Sequence, residues 1–594
     1  MSAGFVRAGT IAELKSKGRL VVRGAHCPIL VVEDQGRIFA LDNRCPHLGF
    51  PLDRGSIADG ILTCHWHHAR FDLASGCTFD LWADDVPTCA VELRGGEIWV
   101  KPEFGRSDAA AYWQQRLEQG MAHNLGLVIA KAIQGQLAAG VPPIAIVQQA
   151  ALFGVRNRDG WGTSMTILTA AANILPILPG QEKYLALFHG VRRVAIDCDG
   201  EAPARQRSSL ASRPPSSTLK RWLRRWASVR HREAAERTVL TAIDSGAPPA
   251  LLAELFIAAE TDRVFADGGH ALDFINKCFE CLDLIGWQHA ADLLPSIVGQ
   301  MVAARGGDES TEWRQPLDLV ALCANASADL TAALAAGRGH GPWMEHLRLS
   351  HTLLSDDPAT IIAALIAAAS AGASCADLGR SMSYAAALRV AQFGTANEHS
   401  DWESAHHVLT YCNAAHQVLK RITGDPEQSA DISEASRAIL HGALAVYLIR
   451  YLNVPPARLP ALGDDRLESL PSTIEDIRSA LLDAFDRQHH IEAAANLVAR
   501  HLTLGHPPDL IISALAHVLL REDAGFHAFQ MFDAGVRQFR EWGNTEPGRH
   551  ILIAVARYLA AHGPTERGWL QTADIAARLA RGDQLHAGES PARL

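Results

Sequence analysis

The chain has 594 residues, a formal net charge of −10, and 20% charged against 48% hydrophobic residues, the balance of a soluble globular protein with about four domain-sized units. The acidic excess excludes the basic surface that non-specific nucleic-acid binding needs. The opening MSAGFVRAGTIAELKSKG lacks the apolar core of a signal peptide, and no 18 apolar residues run uninterrupted, so a cytoplasmic protein without a membrane partner is expected.

Residues 5 to about 102 read as strands and turns. Apolar β-formers come in short runs at 20–22, 29–32, 38–41, 61–64 and 98–100, and turn formers such as Asp34-Gln35-Gly36 and Gly95-Gly96 part them. This predicts a small all-β domain over 1–104, followed by a linker over 105–122.

Within that domain stand Cys45-Pro46-His47 and, after sixteen intervening residues, Cys64-His65-Trp66-His67. Two Cys-His pairs suit a two-iron cluster, with thiolates on one iron and neutral imidazoles on the reducible one. Zinc is the competing reading, although zinc ribbons and fingers favour CxxC or HxxxH spacings. CPHLGF and CHWHHARFDLASG resemble the two cluster-binding loops of the Rieske family, over residues 5–102. The resemblance implies a [2Fe–2S] cluster on Cys45, His47, Cys64 and His67.

Respiratory members of that family carry an extra cysteine in each loop, joined as a disulfide, where this chain has Phe50 and Trp66. They also place Ser and Tyr hydroxyls by the cluster, where this chain has Ala69 and Phe71. The resemblance is therefore to the ferredoxin and oxygenase branch, with a lowered potential, because those hydroxyls stabilise the reduced cluster. His68 stands where the family usually has Gly, and is read as an exposed side chain beside the cluster.

After about residue 107 alanine and leucine dominate, and apolar residues recur at helical spacing, as in GLVIAKAIQGQLAAG and LLAELFIAAE. The fold class expected is a small all-β domain followed by a large all-α region. That region reads as internally duplicated. FGVRNRDGWGTSMTILTAAAN (153–173) pairs with FGTANEHSDWESAHHVLTYCNAA (393–415), and LFHGVRRVA (187–195) with ILHGALAVY (439–447). Gly246-Ala247-Pro248-Pro249 pairs with Gly505-His506-Pro507-Pro508, and GGHALDF (268–274) with GFHAFQM (525–531). The shared order predicts two halves, 123–335 and 345–583.

Histidines recur at matching places: His189 with His441, and His270 with His527. One reading makes them packing residues kept in duplicated helices. The other gathers several of them, with His407, at a second iron or haem site between the halves, since imidazole suits iron. The densest polar cluster, Asn397, Glu398, His399, Asp401, His406 and His407, precedes an apolar helix. Cys278 and Cys281 lie in a helical pattern and are read as packing cysteines.

No Rossmann fingerprint, phosphate loop or nucleophile elbow occurs, so a separate reductase or ferredoxin is expected to supply electrons. The D-x-x-H-x-x-x-x-H signature of the usual Rieske oxygenase iron site is not evident either. The reading is an iron–sulfur oxidoreductase whose β domain relays single electrons to a helical domain that oxidises a small organic molecule. The alternative is a non-enzymatic electron carrier or redox sensor whose helical repeat is a protein-binding scaffold.

Overall fold

The computed structural model describes residues 4–24, 27–102, 108–424, 433–461 and 463–583. They form two compact units: one joins the residues up to Ile146 with those from Gly568 on, and the other runs from Val147 to Arg567.

The first unit opens with three antiparallel sheets. One orders the strands Val6–Thr10, Glu97–Val100 and Val91–Arg94; the second, Arg19–Arg23, Pro28–Asp34, Arg37–Asp42 and Thr88–Cys89; the third, Ser56–Ala58, Ile61–Thr63 and Arg70–Asp72. Three hairpins close through two residues that both have positive φ: Gln35-Gly36, Asp59-Gly60 and Gly95-Gly96. Such turns match the twist of the flanking strands. The Pro28–Asp34 strand is buried on both faces. Leu30 and Val32 enter a core with Leu41, Leu62 and Phe71, whereas Ile29 and Val31 enter a second core with Leu14, Ile98 and Val100, as the two-residue period of a strand requires.

The two loops that carry the Cys-His pairs repeat one backbone design. Cys45 donates its N–H to Phe50 O at 2.8 Å and accepts from Gly49 N at 2.7 Å; Cys64 donates to Ala69 O at 2.9 Å and accepts from His68 N at 3.0 Å. Gly49 (φ 78°) and His68 (φ 63°) hold equivalent left-handed positions. Glycine adopts that conformation without cost, and a histidine does not.

The expected linker is corrected. Residues Ala109–Ala122 form a helix, capped by the Asp108 side chain on Ala111 N at 3.0 Å. It is tied to the β domain because its Arg116 bonds Asp84 at 3.0 Å and the carbonyls of Leu81 and Ala83, each at 3.0 Å. Its Trp113 lies so close over the next helix, Gly126–Ala138, that a Cβ on Gly135 would sit 2.2 Å from the indole. The expected end of the second half is corrected too: Gly568–Ala580 packs on Gly126–Ala138 and belongs with the first unit.

The second unit is helical. The matched segments lie on matched helices in one order: Thr163–Ile174 with Asp401–Thr423, Gly180–Cys198 with Arg437–Leu448, Pro249–Glu260 with Pro508–Arg521, and His270–Ile285 with Phe526–Trp542. Thr163–Ile174 and Asp401–Thr423 each pack against both His270–Ile285 and Phe526–Trp542. Leu319–Ala336, at the end of the first expected half, packs on Pro358–Ser370 of the second. Leu319–Ala336 is also, by length and composition, apolar enough to cross a membrane, although Asn325 and Asp329 interrupt it.

At the centre of these helices lies a buried polar network. Lys277, 1% exposed, contacts Glu280 at 2.9 Å and also Asp533. Burial opposes the charge of Lys277, but the carboxylates of Asp533 and Glu280 outweigh it and hold its ammonium above the ordinary lysine range. Asn173 spans Glu280 at 2.9 Å and Asp533 at 3.1 Å, and Gln530 donates to Asp273.

Two outcomes follow from these contacts. Lys277→Met leaves the buried Glu280 and Asp533 with Arg537, at 3.3 and 3.5 Å, in place of two cations, and costs about 3 kcal/mol; urea unfolding followed by circular dichroism reads this as a lowered midpoint. His68→Gly relieves the left-handed strain and raises stability by about 0.5–1 kcal/mol, measured as a later thermal loss of the visible absorption. A fall in stability in that variant would mean that the His68 side chain makes a needed contact.

Candidate metal centre

The two loops bring Cys45, His47, Cys64 and His67 together. Cys45 and Cys64 are 2% and 1% exposed, and the rings of His47 and His67 lie 4.8 Å apart at 88°. The backbone N–H groups of His47 and Leu48 donate to the Cys45 sulfur, and those of Trp66 and His67 to the Cys64 sulfur. A hydrogen bond between the two thiols pushes Cys45 up and pulls Cys64 down to about 6. Burial, with the nearby charges of Lys131 and His67, holds His47 down to about 4, so this imidazole is neutral and its lone pair free.

The residues fit a [2Fe–2S] cluster. His47 Nδ1 is buried with no hydrogen-bond partner, two thiols stand side by side, and four backbone donors point at the sulfurs. These four side chains could hold one iron through sulfur and the other through nitrogen. His67 is exposed and His47 half-buried, with Trp82 edge-on at 4.8 Å from the His47 ring. Phe50 and Trp66 fill the space between the loops, rings 5.8 Å apart. Ala69 and Phe71 are fully buried in the adjoining core and bring no hydroxyl.

Three residues that the sequence did not single out brace this centre. Asp84 is buried and paired with Arg116 at 2.9 Å and Lys131 at 2.7 Å. Burial works against its charge, but those two cations outweigh it and hold its carboxyl below the ordinary range. Lys131 also donates to Pro46 O at 2.7 Å, between Cys45 and His47. Lys131 stands among the buried apolar residues Val128, Ile129, Ala130, Ala132 and Ile133, so the sequence signal was one cation where the pattern asks for a core residue.

In the helical unit, His270, His407 and His527 come together, each offering a ring atom within 4.8 Å of the others. His407 Nε2 and His527 Nε2 are 3.1 Å apart. The His270 and His527 rings, at matched places in the two halves, stack 5.5 Å apart at 5°. Burial, with the charges of neighbouring histidines, holds His270 down to about 4 and His407 to about 3. Fully buried His406 lies 4.8 Å from the His527 ring, and Glu403 is 3.4 Å from His527 Nδ1. Beside His407 a cavity of about 470 Å³ is lined by Phe265, Asp267, Trp313 and Tyr451.

His189 and His441 are not part of this group. His189 Nε2 bonds Leu520 O at 2.8 Å and its ring packs on Phe529, and His441 is buried in the Arg437–Leu448 helix. Burial keeps both neutral, at about 4 and about 3. Cys278 and Cys281 are fully buried. Sequence reasoning passed over Glu403, which no matched partner marks: Gly162 stands at its place in the other copy.

The family model of the Rieske [2Fe-2S] domain matches residues 4–87. The chain is 42% identical over 74 residues to apoptosis-inducing factor 3 of Homo sapiens, covering 12% of each chain. It is 36% identical over 77 residues to the vanillate O-demethylase oxygenase subunit of Pseudomonas sp. (strain HR199 / DSM 7063), covering 11% of this chain and 21% of that one. It is 31% identical over 84 residues to the ferredoxin component of biphenyl 2,3-dioxygenase of Rhodococcus jostii (strain RHA1), covering 13% of this chain and 74% of that one. The match thus spans about an eighth of the first of these relatives and nearly three quarters of the third. Through residues 4–87 the chain belongs to the Rieske [2Fe–2S] family, and its role there is iron–sulfur electron transfer.

Proposed function

We propose that the chain is a fused oxidoreductase: Cys45, His47, Cys64 and His67 hold the cluster, and the helical unit uses the electrons it relays to oxidise a small organic molecule. The observation that carries the second half is the cavity beside His407. Phe265, Trp313 and Tyr451 line it together with Asp267, Arg305 and Glu312, so it suits a small aromatic molecule that also carries polar groups.

The cluster, when bound, takes up and returns one electron at a time. The chain's own residues do the rest. Backbone N–H groups of both loops stabilise negative charge on the cysteine sulfurs. Lys131, fixed between Asp84 and Pro46 O, sets a positive charge against the first loop. Exposed His67 is the edge through which an electron enters. A separate reductase or ferredoxin supplies that electron, a reading that the likeness to a dioxygenase ferredoxin component supports. Covalent fusion keeps donor and acceptor at high effective concentration.

Cys45→Ser removes the visible absorption of the cluster and leaves the far-ultraviolet helix signal intact, because the β domain and the second unit have separate cores. A normal cluster spectrum in that variant would refute the ligand assignment. The reduction potential falls toward the −150 mV end of the roughly −150 to +300 mV span of the family, since Ala69 and Phe71 bring no hydroxyl; protein-film voltammetry measures it. For the activity, the chain is supplied with ferredoxin, its reductase and NADPH, and oxygen uptake is followed across a panel of small aromatic compounds. Uptake that rises with one compound and vanishes in Cys45→Ser supports oxidation, and no uptake with any compound turns the reading toward a carrier or sensor.

A further inference from the structure

We infer that His270, His407 and His527 bind a redox-active first-row transition-metal ion, iron(II) foremost. The choice of a redox metal rests on the function proposed above; the binding site itself rests on the histidines.

Three helices converge to build it. His270 opens His270–Ile285, His407 lies in the second turn of Asp401–Thr423, and His527 lies in the first turn of Phe526–Trp542. Their ring atoms gather within 4.8 Å, and two of them stand 3.1 Å apart. Metal–nitrogen bonds of about 2.1 Å bring two ligand atoms to about that separation. The third ring needs only a small side-chain shift to join them.

The surroundings are those of a ligand shell. His270 Nδ1 is buried with no hydrogen-bond partner, as are both nitrogens of His406. Buried polar atoms are seldom left so unless something else engages them. Glu403, 3.4 Å from His527 Nδ1, holds the place of the carboxylate that orients a ligating histidine through its second nitrogen. Asp267 and Glu403 both act on His270 and offset the charge of a bound cation. Among the described residues the gathered donor set is three imidazoles, which suit iron, copper, nickel and zinc.

Two further features narrow the ligand. Three nitrogens in so small a space suit an ion; a haem offers only two axial positions, on opposite faces. All three histidines are half-buried, and the cavity of about 470 Å³ opens on His407. Three protein ligands thus leave coordination positions for water, oxygen or a small molecule. Zinc cannot accept an electron, so a partner for one-electron relay must be a metal that can.

The duplication accounts for the asymmetry of the site. His270 and His527 are matched residues, but Met165 and Thr166 stand in the first copy where His406 and His407 stand in the second. One copy has kept or gained the third ligand.

The test uses the full-length chain, purified anaerobically, loaded with ferrous ammonium sulfate and desalted. Mass spectrometry counts the metal and visible absorption reports the cluster. The wild type is expected to retain about one iron per chain beyond the two of the cluster. His407→Ala and His527→Ala each weaken that iron's binding at least about tenfold and leave the cluster absorption unchanged. Cys45→Ser loses the cluster and keeps the single iron, which separates failure at this site from failure of the cluster assignment. If an alanine variant is unfolded by circular dichroism, cobalt(II) added to the folded wild type gives the reading instead, through ligand-field bands that histidine coordination produces. No iron beyond the cluster, equal iron in wild type and folded variants, retention of zinc alone, or absent cobalt bands overturns the inference.

Discussion

The first unit depends on one buried carboxylate. Asp84 is buried, 3% exposed, and two cations from two helices meet it there: Arg116 from Ala109–Ala122 and Lys131 from Gly126–Ala138. An isolated buried charge is intolerable, so all three groups must be present together. That requirement draws both helices onto the strands and makes structure out of a stretch whose composition suggests a tether. Lys131 carries the effect further, because its remaining hydrogen bond goes to Pro46 O inside the first Cys-His loop. The helices therefore help to fix where Cys45 and His47 stand.

Much of this protein was legible in its residues where the chemistry is local. C-x-H and C-x-x-H spacings, dipeptide turns such as Gln35-Gly36, and the change from strand to helix grammar near residue 107 depend on neighbours a few positions apart. What could not be read depends on pairs far apart in the chain. Nothing near Arg116 announces Asp84, and nothing near Gly568 announces Gly126–Ala138. The same limit applied to the histidines. Repetition drew attention to His189 and His441 because each precedes a glycine, yet His189 spends its nitrogen on a backbone carbonyl. His406 and His407 have no counterpart in the other copy, so it was the dense polar cluster around His407, and not the comparison of the halves, that joined His407 to His270 and His527.

The helical unit shows how a duplicated chain can keep its packing while its centre diverges. The four central helices pair in the way two copies would, and matched Asp273 and Gln530 hydrogen-bond across the junction. Beyond that, the network is uneven: Asn276 and Lys277 in one copy face Asp533 and Ala534 in the other. A lysine that bonds carboxylates from both helices does more than a symmetric arrangement could, since two like charges at matched sites would repel. Divergence here supplies complementary charge, and a few positions further along it gathers histidines.

The position of the Gly568–Ala580 helix bears on how the protein is made. Its small buried face, Ala573, Ala576 and Ala577, covers part of Gly126–Ala138. During synthesis that covering helix emerges only after the whole second unit, a delay on the order of tens of seconds at ordinary ribosomal rates. Through that interval the first unit has its strands and its Asp84 ion cluster but bares an apolar helix face. The packing of the first unit is thus completed only once Gly568–Ala580 has been made.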